Sequence, residues 1–202
     1  VESFEKRVTM LEDGIGSVAC ASGMAALTNA FLNILQAGDE IVAACGLYGG
    51  TVELFDDLKP FGISVKYVKE NKPEAFEAEI TEKTRLVFAE TIGNPKLDVT
   101  DIQAVAEVAH KHDVPLIVDN TVATPILCKP ITFGADIVVH SITKYVGGHG
   151  NSLGGVIVDS GKFPWAEHKE RFPVFNQPEP SYHGVVYTDT FGPAAFIARA
   201  RT

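Results

Sequence analysis

Two residues with the chemistry of a catalytic pair follow neighbouring apolar stretches of the chain. Asp119 ends the run 116–118, and Lys144 follows the run 137–139 with enough chain between them for one crossover between parallel strands. Both side chains would then project from the carboxyl edge of one sheet, where open α/β folds bind ligands. A lysine amine can form a Schiff base with an aldehyde, and a carboxylate can keep a ring nitrogen protonated. Taken alone, Asp119 is equally a turn or helix-cap residue, and Lys144 a solvated surface lysine.

A second group of residues could hold a phosphate. Ser22, Gly23 and Met24 lie between a predicted short strand and a predicted long helix, so the amides at the helix N-terminus would point outward to an anion. Ser141 and Thr143, two residues apart just before Lys144, could add hydroxyl donors. In isolation, Ser22-Gly23 is better explained as a glycine turn with a helix cap.

Two further residues suit a flat ring. Tyr48 lies in a glycine-containing loop after a predicted strand, where its ring is free to stack, although a lone tyrosine there is more often a packing residue. Asn94, before Pro95, places an amide in a stiff turn able to reach a ring hydroxyl. A lysine, an anionic partner for a ring nitrogen, a phosphate cradle and a stacking ring are what proteins supply to pyridoxal 5'-phosphate. We therefore predict a site for this cofactor.

The elements that must position these residues point to an α/β fold. The chain has 202 residues, of which 46% are hydrophobic and 21% charged, which suits one sizeable core. The runs 115–118, 136–139 and 155–158 are almost continuously apolar, as strands covered on both faces are. We predict a mostly parallel sheet with helices on both faces.

Three local features carry more specific predictions. The segment 100–112 is predicted to be a helix with Thr100 and Gln103 as a capping box and one apolar stripe. That stripe consists of Ile102, Val105, Ala106 and Ala109. The N-terminal segment has a helical pattern with Phe4, Val8 and Leu11 on one face, and the Pro-rich segment 172–187 is predicted to be an ordered surface loop.

Composition excludes several classes of protein. The formal net charge is −9, from 17 basic and 26 acidic residues, and no stripe of Lys and Arg indicates a nucleic-acid partner. No apolar run approaches the roughly 20 residues that span a bilayer, so we expect no membrane insertion. Cys20, Cys45 and Cys128 are far apart, which predicts buried free thiols and a cytoplasmic location. The histidines have no metal-ligand spacing, and the glycine strings 147–150 and 154–155 do not follow the dinucleotide-binding pattern.

Three strings resemble the signatures of the cysteine/methionine-metabolism family of pyridoxal-phosphate enzymes. They are Ala-Ser-Gly-Met-Ala-Ala at 21–26, Val-Asp-Asn-Thr at 118–121 and His-Ser-Ile-Thr-Lys-Tyr at 140–145. The resemblance implies fold type I, the aspartate-aminotransferase-like large domain. It also implies roles: Lys144 binds the aldehyde and moves protons, Asp119 pairs with the pyridine nitrogen, Tyr48 stacks on the ring and acts as a second acid-base group, and Asn94 contacts the hydroxyl side. Four residues would hold the phosphate, namely Gly23, Met24, Ser141 and Thr143.

Two stretches bear on the substrate within that family. Gly-Gly-His-Gly-Asn at 147–151 departs from the pattern of many lyases, and Pro-Glu-Pro-Ser-Tyr-His-Gly at 178–184 resembles the O-acetylhomoserine sulfhydrylases. This likeness implies γ-replacement, in which O-acetylhomoserine and sulfide, or a thiol, give homocysteine, or methionine, and acetate. A cystathionine γ-synthase or a methionine or cystathionine γ-lyase on the same scaffold remains an alternative. A nucleotide-binding reductase and a truncated fragment without catalysis are further alternatives.

The chain is shorter than the members of this family. Its members are about twice as long, so we expect residues 1–202 to be the cofactor-binding large domain without the N-terminal arm and the C-terminal domain. The resemblance implies a small amino-acid substrate and a homotetramer with active sites at the dimer interface.

Overall fold

A seven-stranded mixed sheet forms the centre of the computed structural model, which describes all 202 residues. The strands are β1 (Gly16–Cys20), β2 (Glu40–Ala43), β3 (Ser64–Tyr67), β4 (Thr84–Glu90), β5 (Leu116–Asp119), β6 (Ile137–Ser141) and β7 (Gly155–Asp159). Their order across the sheet is β1-β7-β6-β5-β4-β2-β3. The pairs among β3, β2, β4, β5 and β6 are parallel, whereas β7 is antiparallel to both β6 and β1. The mostly parallel sheet is confirmed, and β7 runs antiparallel because the chain returns from β6 through a loop rather than a crossover helix.

Helices cover both faces of this sheet. They are α1 (Glu2–Glu12), α2 (Gly23–Leu32), α3 (Gly49–Leu58), α4 (Pro73–Glu79), α5 (Ile102–Lys111), α6 (Thr124–Leu127), α7 (Pro173–Asn176), α8 (Tyr187–Phe191) and α9 (Ala195–Arg201), with short 3-10 helices at Lys59–Phe61, Pro130–Phe133, Pro180–Tyr182 and Gly192–Ala194. On β6, His140 bonds to α1 whereas the next residue, Ser141, abuts the start of α2. Successive strand residues point to opposite faces, so α1 and α2 lie on opposite sides. None of the helices combines the length and the apolar character needed to cross a membrane.

The central strands are buried on both sides, as their apolar runs predict. The side chains of 116–118, 137–139 and 156–158 are fully buried. The predicted stripe of the helix now labelled α5 is confirmed as well, since all four of its members are buried. This packing holds the carboxyl ends of β4, β5 and β6 side by side.

The predicted cap of α5 is wrong by one residue. Asp101 is the N-cap, and its side chain accepts a hydrogen bond of 3.1 Å from the amide of Ala104. Thr100 is buried instead, and its hydroxyl donates to the carbonyl of Glu90 at 2.7 Å. Gln103 bonds to Glu107 on the helix surface. The Thr100 hydroxyl therefore bonds to the end of β4 and does not cap the helix, although the sequence pattern predicted that it would.

Two other local predictions are also corrected. The buried face of α1 presents Glu5, Val8 and Glu12, while Leu11 is 44% exposed. The segment 172–187 is not a surface loop throughout, because Phe172 and Phe175 are fully buried in an aromatic cluster and short helices interrupt it. The three cysteines are free but only partly buried.

Candidate cofactor site

A cavity of about 500 Å³ lies at the carboxyl edge of the sheet, within the range of small-molecule sites. All eight residues that the sequence analysis singled out line it: Gly23, Met24, Tyr48, Asn94, Asp119, Ser141, Thr143 and Lys144. They come from five separate segments that the parallel strands bring to one edge. The cavity also includes residues that the sequence analysis did not single out for it, among them Glu90, Thr121, Tyr145 and Leu153.

The N-terminus of α2 forms one wall of this cavity. Ser22 caps the helix, its hydroxyl accepting a 3.0 Å hydrogen bond from the amide of Ala25. The amides of Gly23 and Met24 have no acceptor within the chain, as expected for the first turn of a helix. A Cβ on Gly23 would lie 2.5 Å from that of Ser141, so only glycine lets the helix start approach β6 this closely. The result is two free amides beside a serine hydroxyl, which is an anion-binding arrangement.

The two hydroxyl residues before the lysine differ in their freedom. The Ser141 hydroxyl has no partner in the chain, and the amide of Ser141 donates to the Thr121 hydroxyl at 2.8 Å. The Thr143 hydroxyl already bonds to the loop before β7, donating to the Gly154 carbonyl at 3.3 Å and accepting from the Gly154 amide at 3.2 Å. Of the two hydroxyls, that of Ser141 is therefore the one free to donate a hydrogen bond to an anion.

Lys144 lies on the turn that follows β6 and is exposed. Its amine forms no ion pair or hydrogen bond within the chain. The turn carries Lys144 beyond the buried end of the strand, so its amine is open to the cavity and to solvent.

Two carboxyl groups stand next to each other on the cavity floor. Glu90 and Asp119 end neighbouring parallel strands and are partners in the register of β4 and β5. One oxygen of Asp119 accepts a 2.9 Å hydrogen bond from the amide of Thr121, and burial raises the pKa of Asp119 despite this bond. A protonated ring nitrogen placed against Asp119 would supply the positive charge that this desolvated carboxylate lacks.

Glu90 is the residue that the sequence analysis missed. Burial, together with the carboxylates of Asp119 and Asp98, raises its pKa to about 8, against the opposing effect of hydrogen bonds from the backbones of Tyr48 and Asn94. The amide of Tyr48 donates to its Oε1 at 2.7 Å. An acidic residue at the end of a buried strand is the feature that identified Asp119, and the same feature is present at Glu90.

Tyr48 and Asn94 lie on two loops at the mouth of the cavity. Tyr48 is 45% exposed, and its ring lies so close to Gly50 that a Cβ there would be 2.6 Å from Cε1. The amide of Asn94 donates to the carbonyl of Gly46 at 3.0 Å, which joins the loop after β4 to the loop that carries Tyr48. Both side chains are accessible from the cavity.

These groups fit pyridoxal phosphate. The free amides at Gly23 and Met24 and the Ser141 hydroxyl suit its phosphate, Asp119 suits a pyridinium nitrogen, and the free amine of Lys144 suits an aldehyde. A sequence profile described as "Cys/Met metabolism PLP-dependent enzyme" matches residues 1–191. The chain belongs to this family. The resemblance to this family, the expected cofactor pyridoxal phosphate and the type I fold are thereby confirmed.

Curated members of the family are similar along the whole chain. A homocysteine/cysteine synthase of Kluyveromyces lactis is 50% identical over 204 residues, which cover 100% of this chain and 46% of that protein. An O-acetyl-L-homoserine sulfhydrylase of Leptospira meyeri is 49% identical over 207 residues, which cover 98% of this chain and 46% of that protein. The chain thus spans about half the length of the curated relatives it matches.

Solved structures in the family have the same fold. A putative O-acetylhomoserine (thiol)-lyase from Campylobacter jejuni, which contains a pyridoxyl-lysine phosphate, superposes with a TM-score of 0.93 at 35% identity. The match covers 98% of this chain and 50% of that one. An O-acetylhomoserine sulfhydrylase of Wolinella succinogenes has a TM-score of 0.84 at 38% identity, over 100% of this chain and 55% of that one.

Proposed function

We propose that this chain carries the cofactor site of an enzyme of pyridoxal-phosphate-dependent γ-replacement, in which O-acetylhomoserine and sulfide or a thiol give homocysteine or methionine and acetate. The observation that carries the proposal is one cavity that gathers a free lysine amine, the half-buried carboxylate of Asp119 and two free helix amides. The names of the relatives support the substrate, since several are O-acetylhomoserine sulfhydrylases or homocysteine synthases.

The roles of the cofactor-binding residues belong to this proposal. Gly23 and Met24 bind the phosphate through their amides, and Ser141 and Thr143 through their hydroxyls. Asp119 keeps a proton on the ring nitrogen, because a carboxylate this desolvated is stabilised by an adjacent positive charge. Tyr48 covers one face of the ring, and Asn94 contacts its hydroxyl side from the neighbouring loop.

Two residues move protons in the proposed reaction. Pyridoxal phosphate, when bound, supplies an aldehyde for the substrate amine and a protonated ring that withdraws electrons. The Nζ atom of Lys144 binds the aldehyde and then carries protons to and from the substrate carbons, which requires its neutral form. The Tyr48 hydroxyl, at the mouth of the cavity, is a second group able to give or take a proton.

The setting of the reaction is also proposed. Three free cysteines and the absence of C-x-x-C pairs favour the cytoplasm. The cavity size and its donors favour a small amino-acid substrate. We further propose that residues 1–202 form the large cofactor domain, and that the whole protein is a homotetramer whose sites lie at the dimer interface.

Borohydride reduction tests the cofactor assignment. The full-length protein is mixed with pyridoxal phosphate, reduced and digested, and the modified peptide is mapped. We expect a visible absorption band before reduction and a pyridoxyl group on Lys144 afterwards. Lys144→Ala should lose both, whereas Lys169→Arg, a surface lysine in the segment after β7, should keep both. Label spread over surface lysines would contradict the role of Lys144.

A nucleophile panel tests the reaction. O-acetylhomoserine is supplied with sulfide, with a thiol, with cysteine or with no nucleophile, and the amino-acid products are measured. Homocysteine formed fastest with sulfide supports the proposal. Cystathionine formed fastest with cysteine indicates a cystathionine synthase, and an oxo acid with ammonia in the absence of a nucleophile indicates a γ-lyase.

A further inference from the structure

Four buried polar side chains form a connected network on the face of the sheet opposite the phosphate-binding helix α2. The Thr91 hydroxyl donates to Oδ1 of Asn120 at 2.8 Å, and Nδ2 of Asn120 donates to Oε1 of Glu12 at 3.0 Å. The same Glu12 oxygen lies 2.6 Å from Nε2 of His140. Glu12, Asn120 and His140 are fully buried, and Thr91 is nearly so. Because Glu12 can only accept while ionised, the proton of His140 is assigned to Nε2.

The strand ends joined by this network are the ones that line the cavity. Thr91 follows Glu90, Asn120 follows Asp119, and His140 precedes Ser141. Adjacent residues at a strand end point to opposite faces, so each of these three network residues is bonded through the backbone to a cavity residue. Fixing the network side chains therefore fixes the direction in which the cavity side chains project. Glu12, from α1, reaches two of these strand ends directly.

The network is poorly built as a source of stability. The second oxygen of Glu12 and the Nδ1 atom of His140 are buried and have no hydrogen-bond partner within the chain. Taking such groups out of water costs free energy that the pair does not fully recover, so apolar residues of the same size would serve stability equally well or better. A role in positioning the strand ends explains why these polar groups are buried, whereas a contribution to stability does not.

We propose that Glu12 is a positioning residue for the cofactor site, acting through Asn120 and His140 on the ends of β5 and β6. This inference rests on the proposed function, since it concerns the site that pyridoxal phosphate would occupy. Glu12 itself lies on the reverse face and touches neither cofactor nor substrate. Its effect is to hold Asp119 and Ser141 at the spacing that a single ring with its phosphate requires.

The chain offers a matched control at the other end of the same strands. Asp136 is a buried carboxylate just before β6, and its Oδ2 accepts from the amide of Leu116 and lies 2.8 Å from Nε2 of His110. Glu12 and Asp136 are thus both buried acids paired with a histidine and tied to β5 and β6. Only Glu12 is at the carboxyl ends of these strands.

The experiment measures pyridoxal-phosphate affinity and the visible circular dichroism of the bound cofactor in the full-length protein, beside the free energy of unfolding. Glu12→Ala should weaken affinity about tenfold, the order found when residues that orient the ligands of a bound metal are removed, and should reduce the dichroism. Asp136→Ala should lose comparable stability yet stay within about twofold of the wild-type affinity. Glu12→Gln keeps an oxygen for Asn120 and His140, so it should recover most of the affinity.

The outcomes separate the two proposals. The positioning role would be overturned if Glu12→Ala bound pyridoxal phosphate no more weakly than Asp136→Ala. It would also be overturned if Glu12→Gln did not recover the affinity that Glu12→Ala loses. If Glu12→Ala does not fold, His140→Phe decides, since it keeps a ring at this position and removes the link from Glu12 to the end of β6. It should weaken binding about two- to threefold, and wild-type affinity would overturn the inference. If the wild-type protein binds no cofactor, the proposed function fails instead.

Discussion

In the proposed phosphate cradle, Gly23 packs closely against the side chain of Ser141. Replacing it by alanine puts a methyl group 2.5 Å from Cβ of Ser141, and relieving that overlap costs about 1 to 3 kcal/mol. The relief moves the start of α2 away from β6, which separates the two amides from the serine hydroxyl. Since about 1.4 kcal/mol is a tenfold change, we expect Gly23→Ala to bind pyridoxal phosphate roughly tenfold more weakly in an equilibrium titration.

Gly38→Ala is the control for that variant. Gly38 has a φ of 98° and no atom within 4 Å of its notional Cβ, so alanine there strains the backbone without touching the cavity. We expect it to lower stability by about 1 kcal/mol and leave cofactor affinity unchanged. An equal loss of affinity in both variants would show that general destabilisation, not the cradle, is responsible.

Sequence reasoning at the level of single residues located the cavity lining well, because its residues follow buried strands and precede helices. Lys144 and Asp119 could be predicted as site residues for that reason. The solvent exposure of Lys144 could not be predicted, since it depends on how far a turn projects beyond the sheet. Glu90 was missed although it also ends a buried strand. Burial is the main cause of its raised pKa, and the carboxylate of Asp119 beside it on β5 adds to the rise. No local sequence pattern contains this placement of β4 next to β5.

Among the elements, α5 shows how a cap can be tested. Asp101 accepts from the amide of Ala104, so Asp101→Ala should lower the free energy of unfolding by about 1 kcal/mol. Asp101→Asn keeps a capping oxygen and should stay within a few tenths of a kcal/mol. Chemical denaturation of the wild type, these two variants and Thr100→Ala measures the changes. A loss confined to Thr100→Ala would instead favour the capping box that the sequence suggested.

The helix α1 explains why element-level patterns fail where acids are buried. Phe4, Val8 and Leu11 satisfy a helical stripe, but the face that packs on the sheet carries Glu5 and Glu12. The Glu5 side chain accepts from the amide of Ala19 at 2.8 Å and pairs with Arg201 at 2.9 Å. A hydrophobicity pattern cannot identify such a face, because its acids are compensated by partners far away in sequence.

For the molecule as a whole, two buried carboxyl groups contribute strongly to the pH dependence of stability. Burial raises the pKa of Asp159 to about 7, although the amides of Gly161 and Ile197 donate to its side chain. Glu90 behaves alike, with a pKa of about 8. Between about pH 4 and 8 the folded protein keeps protons that the unfolded chain releases, so both groups make the free energy of unfolding fall as pH rises through this window.

Asp159→Asn tests this dependence. Asparagine does not titrate, so the variant should lose less stability than the wild type between about pH 4 and about pH 7. It should be less stable at the acid end by about 1 kcal/mol, because its side chain offers one carbonyl oxygen where two amides donate. Denaturation curves at several pH values provide the measurement. Parallel stability curves for the two proteins would contradict the assignment of this group.

The fold class was predictable because continuous apolar runs indicate strands buried on both faces. The order of the strands was not, since such a run does not specify its neighbour. β1 illustrates the difference, because its five residues pair with β7, which is distant in sequence, and not with β2, the next strand along the chain.

That pairing has a consequence for the protein during its synthesis. β1 is made before residues 155–159, its only partner strand, and residues 21–154 are made in between. At the usual 5 to 20 residues per second, the ribosome needs roughly ten seconds to supply that partner. Through this interval the amides and the buried Val18 of β1 have no native neighbour along the strand, so the nascent chain exposes a strand edge of the kind that chaperones protect.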